Sequence, residues 1–451
     1  MKPSKQVTVE FFGGLRVIGS SKIMVATEQA RVLLDVGLDI PGEADLFRAP
    51  VQERKDFRLR DRLAVGFAPE IPGVYDPLQL PADSPLALAD PRPSAVFLSH
   101  AHIDHDGGLD FLRPGLPVYA HPETARLEDC VALAGLGAVF PVQAMAGPVQ
   151  VGDLRVEAIP VDHDIPGACG FLVHTPEGSL AYTGDLNFHR DGALRSAGFV
   201  QAAAGVEMLV TETTMLSFDA EGSSPPPRSE AEVVQLIGAA LTATDGLALL
   251  SMYERDVERA QRLIDLARAK RRSLVWPGQQ AAFLAGFGVQ GVVSWDASRP
   301  QRPAHRLAIQ RLAEAAPERL PELVGLASVR AAPGGFAVQP DVRDVPALLD
   351  LPIVAGATPF IHSQGEPLGP FMADWAPWLD WLAKLGIDFV AAGSSGHATG
   401  ESLHKMTMDI HPGVVVPIHG FRPEALRVDV PTLLPEYGVR YRLDGTVAGS
   451  D

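Results

Sequence analysis

The stretch SAVFLSHAHIDHDGG, residues 94–108, constrains this chain more than any other part of it. A short apolar run of strand character ends, and His100, His102, Asp104 and His105 follow at once. Imidazole and carboxylate are the usual non-thiolate ligands of zinc and manganese. His100 and His102 sit two apart and can point to one side of an extended segment. Asp104 and His105 are adjacent, on a tight turn leading into GGLDFL. The spacing suits two neighbouring metal positions, the first two histidines serving one and the Asp–His pair the other. A solvated His/Asp loop is the competing reading. The chain has only 13 histidines in 451 residues, so three of them beside acids at one strand end argue for metal.

Four residues cannot close two sites, and the sequence supplies three more candidates, each at a strand end. IPVDHDIPGACGF offers His163, flanked by Asp162 and Asp164. AYTGDLNF offers Asp185, and VVVPIHGF offers His419. Singly each is weak; jointly, in this order, they describe a two-metal hydrolytic site. Such sites place ions about 3.5–4 Å apart to activate a hydroxide and to polarise a phosphodiester.

The chain opens as a β-meander, with VTVEFFGG, KIMVATEQA and RVLLDVGL separated by Gly, Ser or a polar corner. Residues 41–93 break the rhythm with many prolines and the run QERKDFRLRDR. They read as an inserted loop with one short helix, lying over one edge of the core. Strands resume with SAVFLSH, LPVYAH, LRVEAIPV, CGFLVHT, SLAYTGD and EMLVTET. After Leu216 a Pro/Ser-rich turn leads to a helix start, with Ser229 as N-cap and Glu232 three residues on. Helices expected over 229–244 and 255–270 alternate with the strands LALLSMY and SLVWPG, which predicts a parallel α/β unit. Residues 297–325 read as helical and exposed. From Asp388 the strand-then-loop pattern returns in DFVAAGSSGHATG, a helix near 401–410 and GVVVPIHGF. The expected division is 1–215, an inserted unit 216–385, and a closing part 386–451.

The formal charge is −17. That argues against a generally basic surface for nucleic acid, although a local basic groove remains compatible, because fields fall off within a Debye length of about 8 Å. No apolar stretch reaches membrane-span length and the start lacks a signal-peptide core, so no membrane partner is expected. Cys130 and Cys169 form no metal-binding pair, which fits a reducing cytoplasm.

These motifs resemble the metallo-β-lactamase-fold hydrolases, and within them the β-CASP nucleases, ribonuclease J in particular. RVLLDVGL, HAHIDH, DHDIPGACGF and TGD match the early motifs. TETT with Glu212, the segment SMYERDVERAQRLIDLARAKRRSLVWPG, HSQGEP, SGHATGESLHKM with His397, and PIHG with His419 match the later ones. The resemblance implies an αββα sandwich carrying an inserted β-CASP α/β domain. It implies one metal held by His100, His102, His163 and Asp185, and a second by Asp104, His105, Asp185 and His419. Asp35 would support the metal loop. His397 would act as general acid or bind the scissile phosphate, oriented by Glu212. Ser394, Ser395 and Gly396 would cradle phosphate, with His362 close to the substrate channel. The implied cofactors are two divalent ions, zinc or else manganese, and the implied substrate is single-stranded RNA, cut internally or from the 5′ end.

The chain departs from the resemblance in places. It stops soon after VRYRLDG, where relatives usually carry a further C-terminal domain, so the family's usual oligomeric arrangement is not expected to carry over as it stands, and a homodimer is the assembly considered. His362 stands where relatives have Gly, Phe421 follows HG where an acid is common, and the 41–93 insertion could narrow the cleft. Arg255, Arg259, Lys270, Arg271 and Arg272 could line a strand-binding channel or form a solvated helix face. A DNA nuclease or small-nucleotide phosphodiesterase is the alternative activity. A non-catalytic binding subunit is disfavoured because every ligand position is filled.

Overall fold

The computed structural model describes residues 6–40, 46–47, 51–218, 228–299 and 301–449. Two sheets stack face to face. The first has seven strands and orders Arg440–Tyr441, Thr8–Gly13, Lys22–Ala26, Arg31–Leu34, Ser94–Leu98, Val118–Ala120 and Gln143–Ala144. The second orders Val414–Ile418, Met208–Glu212, Gly178–Tyr182, Cys169–Thr175, Leu154–Pro160 and Val149–Val151. Strand periodicity explains the stacking. Val9, Phe11, Val25, Val32, Leu34 and Phe97 point inward to meet Phe171, Val173, Leu180 and Val210, while alternate residues face out.

The outer face of the second sheet presents Leu172, Ala181, Leu209 and Val415 to Phe199 of the helix Ala193–Ala202 and to Leu403 and Met406 of Gly400–Ile410. The outer face of the first sheet, with Met24, Leu33, Val96 and Leu98, is covered by the proline-rich insertion. Leu59, Ile71, Val74, Tyr75, Leu80 and Leu86 are all buried there. The expectation of a loop over one edge is corrected for the described residues. They contain the helix Arg58–Ala64 and three 3-10 turns, Lys55–Phe57, Pro77–Gln79 and Pro85–Ala87, and they form a structural layer. Arg31 anchors that layer, donating to the Pro72 carbonyl at 2.7 Å and pairing with Asp90 at 3.4 Å. Each buried large aliphatic or aromatic side chain contributes about 1.5–3 kcal/mol. Deleting residues 71–86 should therefore abolish the cooperative thermal transition; a variant that melts like the parent would contradict this.

The third sheet is parallel throughout. Its order is Glu322–Val324, Val293–Trp295, Ser273–Trp276, Phe336–Val338, Ala248–Met252, Pro359–Ser363 and Asp388–Ala391. The helices Glu230–Thr242 and Val257–Ala269 cover one face. Ser229 and Glu232 form the expected capping box, each side chain bonding the other's backbone N–H. The stretch 297–325 is not an exposed helix throughout: Ala308 and Leu312, four apart on Pro303–Ala315, are buried, and Glu322–Val324 is a strand. Asp388–Ala391, just past the expected boundary at 385, pairs with Pro359–Ser363 in this sheet.

A buried ionic cluster ties the third-sheet unit to the sandwich. Arg190, just beyond the second sheet, reaches Asp256 and Glu230 at 3.0 Å, and Arg259 holds Glu230 at 2.7 Å. All four side chains are at most 3% exposed. Removing one partner strands an opposite charge in a low dielectric, typically costing 3–5 kcal/mol. Arg259→Ala should lower the denaturation midpoint accordingly, and an unchanged midpoint would show the cluster to be ornamental.

Candidate metal centre

The strands of the two stacked sheets end together, and their ends carry the site. His100 follows Ser94–Leu98, Asp185 follows Gly178–Tyr182, Glu212 ends Met208–Glu212, and His419 follows Val414–Ile418. Asp104 and His105 lie on the short helix Ile103–Asp106. Asp35 and His419 both adopt left-handed backbone, with φ of 59° and 55°. Such non-glycine residues cluster where surrounding structure fixes a functional side chain. Gly37 is required by close approach: a Cβ there would stand 1.5 Å from the Asp104 carbonyl oxygen.

Two ligand sets converge: His100, His102, His163 and Asp185, and Asp104, His105, Asp185 and His419, each within 4.8 Å of one another. Nitrogen faces nitrogen across both. His102 Nδ1 is 3.1 Å from His100 Nε2 and 3.2 Å from His163 Nε2, and His105 Nε2 is 3.1 Å from His419 Nε2. An ion roughly 2.0–2.1 Å from two such nitrogens at a tetrahedral angle would set them about 3.3–3.4 Å apart, a spacing these nitrogens approach. Asp185 lies between the sets. Its Oδ2 is 3.2 Å from His105, 3.5 Å from His419, 3.7 Å from His100 and 3.9 Å from His163. Both its oxygens are buried without a hydrogen-bond partner. Buried carboxylate oxygens are seldom left unpaired, so the donor set fits two cations. Burial drives His100 well below the ordinary imidazole range and His102 down to about 3, the latter against the pull of Asp164. Both are thus held neutral, the form that binds metal.

Four ligand histidines are held from behind. Asp35 lies 2.7 Å from His105 Nδ1 and also accepts from Ser99 and Tyr182, which is the supporting role expected of it. Ser99 Oγ is 3.0 Å from His100 Nδ1, the Gly396 carbonyl 2.7 Å from His163 Nδ1, and Thr214 Oγ1 2.8 Å from His419 Nδ1. Sequence reasoning assigned no role to Thr214 or to Ser99. The quoted TETT and FLSH contained them, but a lone hydroxyl has no spacing to read.

His397 sits beside this cluster on the loop between Asp388–Ala391 and Gly400–Ile410. Its Nδ1 is 3.3 Å from Glu212 Oε1 and 3.8 Å from Asp185 Oδ2, with no hydrogen bond formed. Glu212 itself accepts from the Ala398 and Thr214 backbone N–H groups. Burial disfavours a charge on His397, but the Glu212 and Asp185 carboxylates outweigh it and raise the group to about 10.

The phosphate-cradle residues are placed differently from expectation. Ser394 is 5% exposed and its hydroxyl clasps the Arg228 backbone, donating at 2.6 Å and accepting at 2.8 Å. Ser395 Oγ accepts from the His397 N–H. Gly396 turns its carbonyl to His163. His362 is buried between Trp375 and Phe389, and its Nε2 faces the Gly365 and Pro367 carbonyls at 2.9 and 3.1 Å. These contacts leave Ser394 and His362 no free donor for a phosphate; the loop crossing uses them structurally. The basic channel is corrected too. Arg255 bonds the Ala101 carbonyl and Asp106, Arg259 belongs to the ionic cluster, and Arg272 caps backbone carbonyls. Only Lys270 and Arg271 of the five are exposed.

The stacked sheets, the double ligand set and the inserted parallel unit define a metallo-β-lactamase fold with a β-CASP-type insertion. A beta-lactamase superfamily domain matches residues 71–248. Ribonuclease J of Sinorhizobium meliloti is 31% identical over 47% of this chain, and the match spans 38% of that relative's length. Ribonuclease J of Pyrococcus abyssi is 24% identical over 92% of this chain and 90% of its own. Among solved structures, a protein of unknown function from Enterococcus faecalis V583 aligns with a TM-score of 0.80 and 27% identity, covering 97% of this chain and all of that one. The chain is thus similar to the metallo-β-lactamase-fold β-CASP nucleases, and to ribonuclease J in particular. Among the described residues no helix is long and apolar enough to cross a membrane.

Proposed function

We propose that this chain is a metal-dependent ribonuclease that hydrolyses phosphodiester bonds of single-stranded RNA. The observation that carries the reading is one carboxylate, Asp185, lying between two complete ligand sets with His397 and Glu212 beside them. Ribonuclease J names on relatives that cover most of the chain support RNA as the substrate.

His100, His102, His163 and Asp185 would hold one ion; Asp104, His105, Asp185 and His419 would hold the other. A pair of divalent ions supplies a hydroxide nucleophile at neutral pH and Lewis-acid polarisation of the phosphoryl oxygen. Imidazole-rich sites of this kind suit zinc, with manganese the alternative. Asp35, Ser99, Thr214 and the Gly396 carbonyl fix the ring orientations. His397, kept protonated by Glu212, would donate a proton to the leaving oxygen. Residues 216–385 are read as the inserted domain that walls the substrate cleft. The buried, unpaired thiols of Cys130 and Cys169 suit a reducing cytoplasm.

The deciding experiment is cleavage of a 5′-monophosphorylated single-stranded RNA labelled at its 3′ end, with zinc and manganese tested separately. His163→Ala is the contamination control. Metal-dependent cutting by the parent and none by the variant is expected, and the fragment pattern separates internal from 5′-end cleavage. A second reading, cleavage of DNA or a small phosphodiester, draws support from the −17 charge and from arginines committed to structure. A protein carrying two ions yet inert on RNA would favour it.

A further inference from the structure

An imidazole that binds an ion through one nitrogen keeps its proton on the other, and that N–H requires an acceptor or a dipole to face. His105, His163, His419 and His100 have Asp35, Gly396 O, Thr214 Oγ1 and Ser99 Oγ against their Nδ1 atoms. His102 is the exception. Its Nδ1 is the nitrogen turned toward His100 and His163, so its proton belongs on Nε2. That atom is buried without a partner.

Beside it stands Asp164 Oδ1, 3.5 Å away and also buried without a partner. The separation is a few tenths of an ångström beyond the usual N–H···O range of roughly 2.7–3.2 Å. Asp164 Oδ1 also lies 3.2 Å from His163 Nε2. With an ion in place that nitrogen spends its lone pair on the ion, and the His163 proton sits on Nδ1 facing Gly396. The proton within reach of Asp164 is therefore the one on His102. Asp164 lies outside both four-residue ligand sets, which fits a residue that acts through a ligand.

We propose that Asp164 is the carboxylate partner of His102, a positioning residue that fixes this ring's tautomer and strengthens it as a ligand. The proposal rests on the two-ion reading above. It also explains the glycine of SSGH. A Cβ on Gly396 would stand 2.6 Å from Asp164 Cγ, so the carboxylate and the bare glycine occupy one space, and the same glycine's carbonyl holds His163. Gly396 thus serves two of the three histidines of one metal position, leaving room for the partner of His102 and facing His163 with its carbonyl.

The test is chelator competition on zinc-loaded protein, comparing the parent with D164A and D164N, alongside melting temperatures of the metal-free forms. D164A should weaken one of the two ions by about 10–100-fold, the range for outer-shell partners, and leave the other unchanged. D164N keeps an acceptor oxygen and should recover part of the loss. The metal-free melting temperatures verify that D164A is folded before its ion affinities are compared, since the carboxylate also faces His163 and His102 without ions. If D164A precipitates, D164S takes its place. D164A retaining both ions at parental affinity, or D164N falling as far as D164A, would overturn the assignment. A parent that binds no zinc would be a different result, removing the two-ion reading and this inference with it.

Discussion

Asp185→Ala should release both ions at once, whereas His163→Ala should release one. Metal content of the purified variants, by elemental analysis, distinguishes the two. The contrast follows from geometry: Asp185 Oδ2 approaches histidines of both sets, while His163 belongs to one. Turnover of Asp185→Ala should fall by more than the roughly 100-fold seen for loss of an outer-shell partner. Added zinc should raise the melting temperature of the parent and leave this variant unmoved, because only a state that binds is stabilised by ligand. An Asp185→Ala protein that keeps one tightly held ion would show that the carboxylate serves one position alone.

His397→Ala should keep both ions yet lose about 10²–10⁴-fold in turnover, the usual worth of a positioned proton donor. Loss of metal together with activity would make His397 a ligand instead. The pH profile supplies a second check. The Glu212 and Asp185 carboxylates raise His397 to about 10 against burial. A raised group stays protonated through neutral pH and loses its proton as pH rises past its folded value. Bound cations pull that value down without changing the sign of the carboxylate contribution. Glu212→Gln should therefore shift the alkaline limb of activity to lower pH, and an unmoved limb would separate Glu212 from His397.

The candidate metal ligands were readable because His100, Asp185 and His419 follow strand ends, where an apolar run stops, and because Asp104 and His105 follow His100 at once. Ser229 and Glu232 were equally readable, since a capping box has a fixed spacing. What the sequence hid were contacts made across the fold. Asp164 looked like a flank of His163 until His102, 61 residues from His163, was seen beside it. His362 and Ser394 carried hydrogen-bonding groups in motif positions, but only packing revealed that backbone carbonyls and Arg228 had already claimed them. Arg255, Arg259 and Arg272 misled for a related reason. Arginine on a helix reads as solvated, yet buried carboxylates and carbonyls recruit it readily through its five donors. The insertion misled because its apolar residues follow no period, and their target, the outer face of the first sheet, lay elsewhere in the chain.

The two metal positions differ in how much of the chain each one needs. His100, His102, His163 and Asp185 all lie within the first 185 residues, whereas His419 is 314 residues from His105. During synthesis a ribosome-bound fragment can carry all four side chains of the first set, with His163 still lacking its Gly396 partner, before it carries those of the second. The second set is completed only after the parallel unit has been emitted and the strand Val414–Ile418 has docked beside Met208–Glu212. On the two-ion reading, a product ending before His419 could not complete the second position and would be disarmed by its own topology.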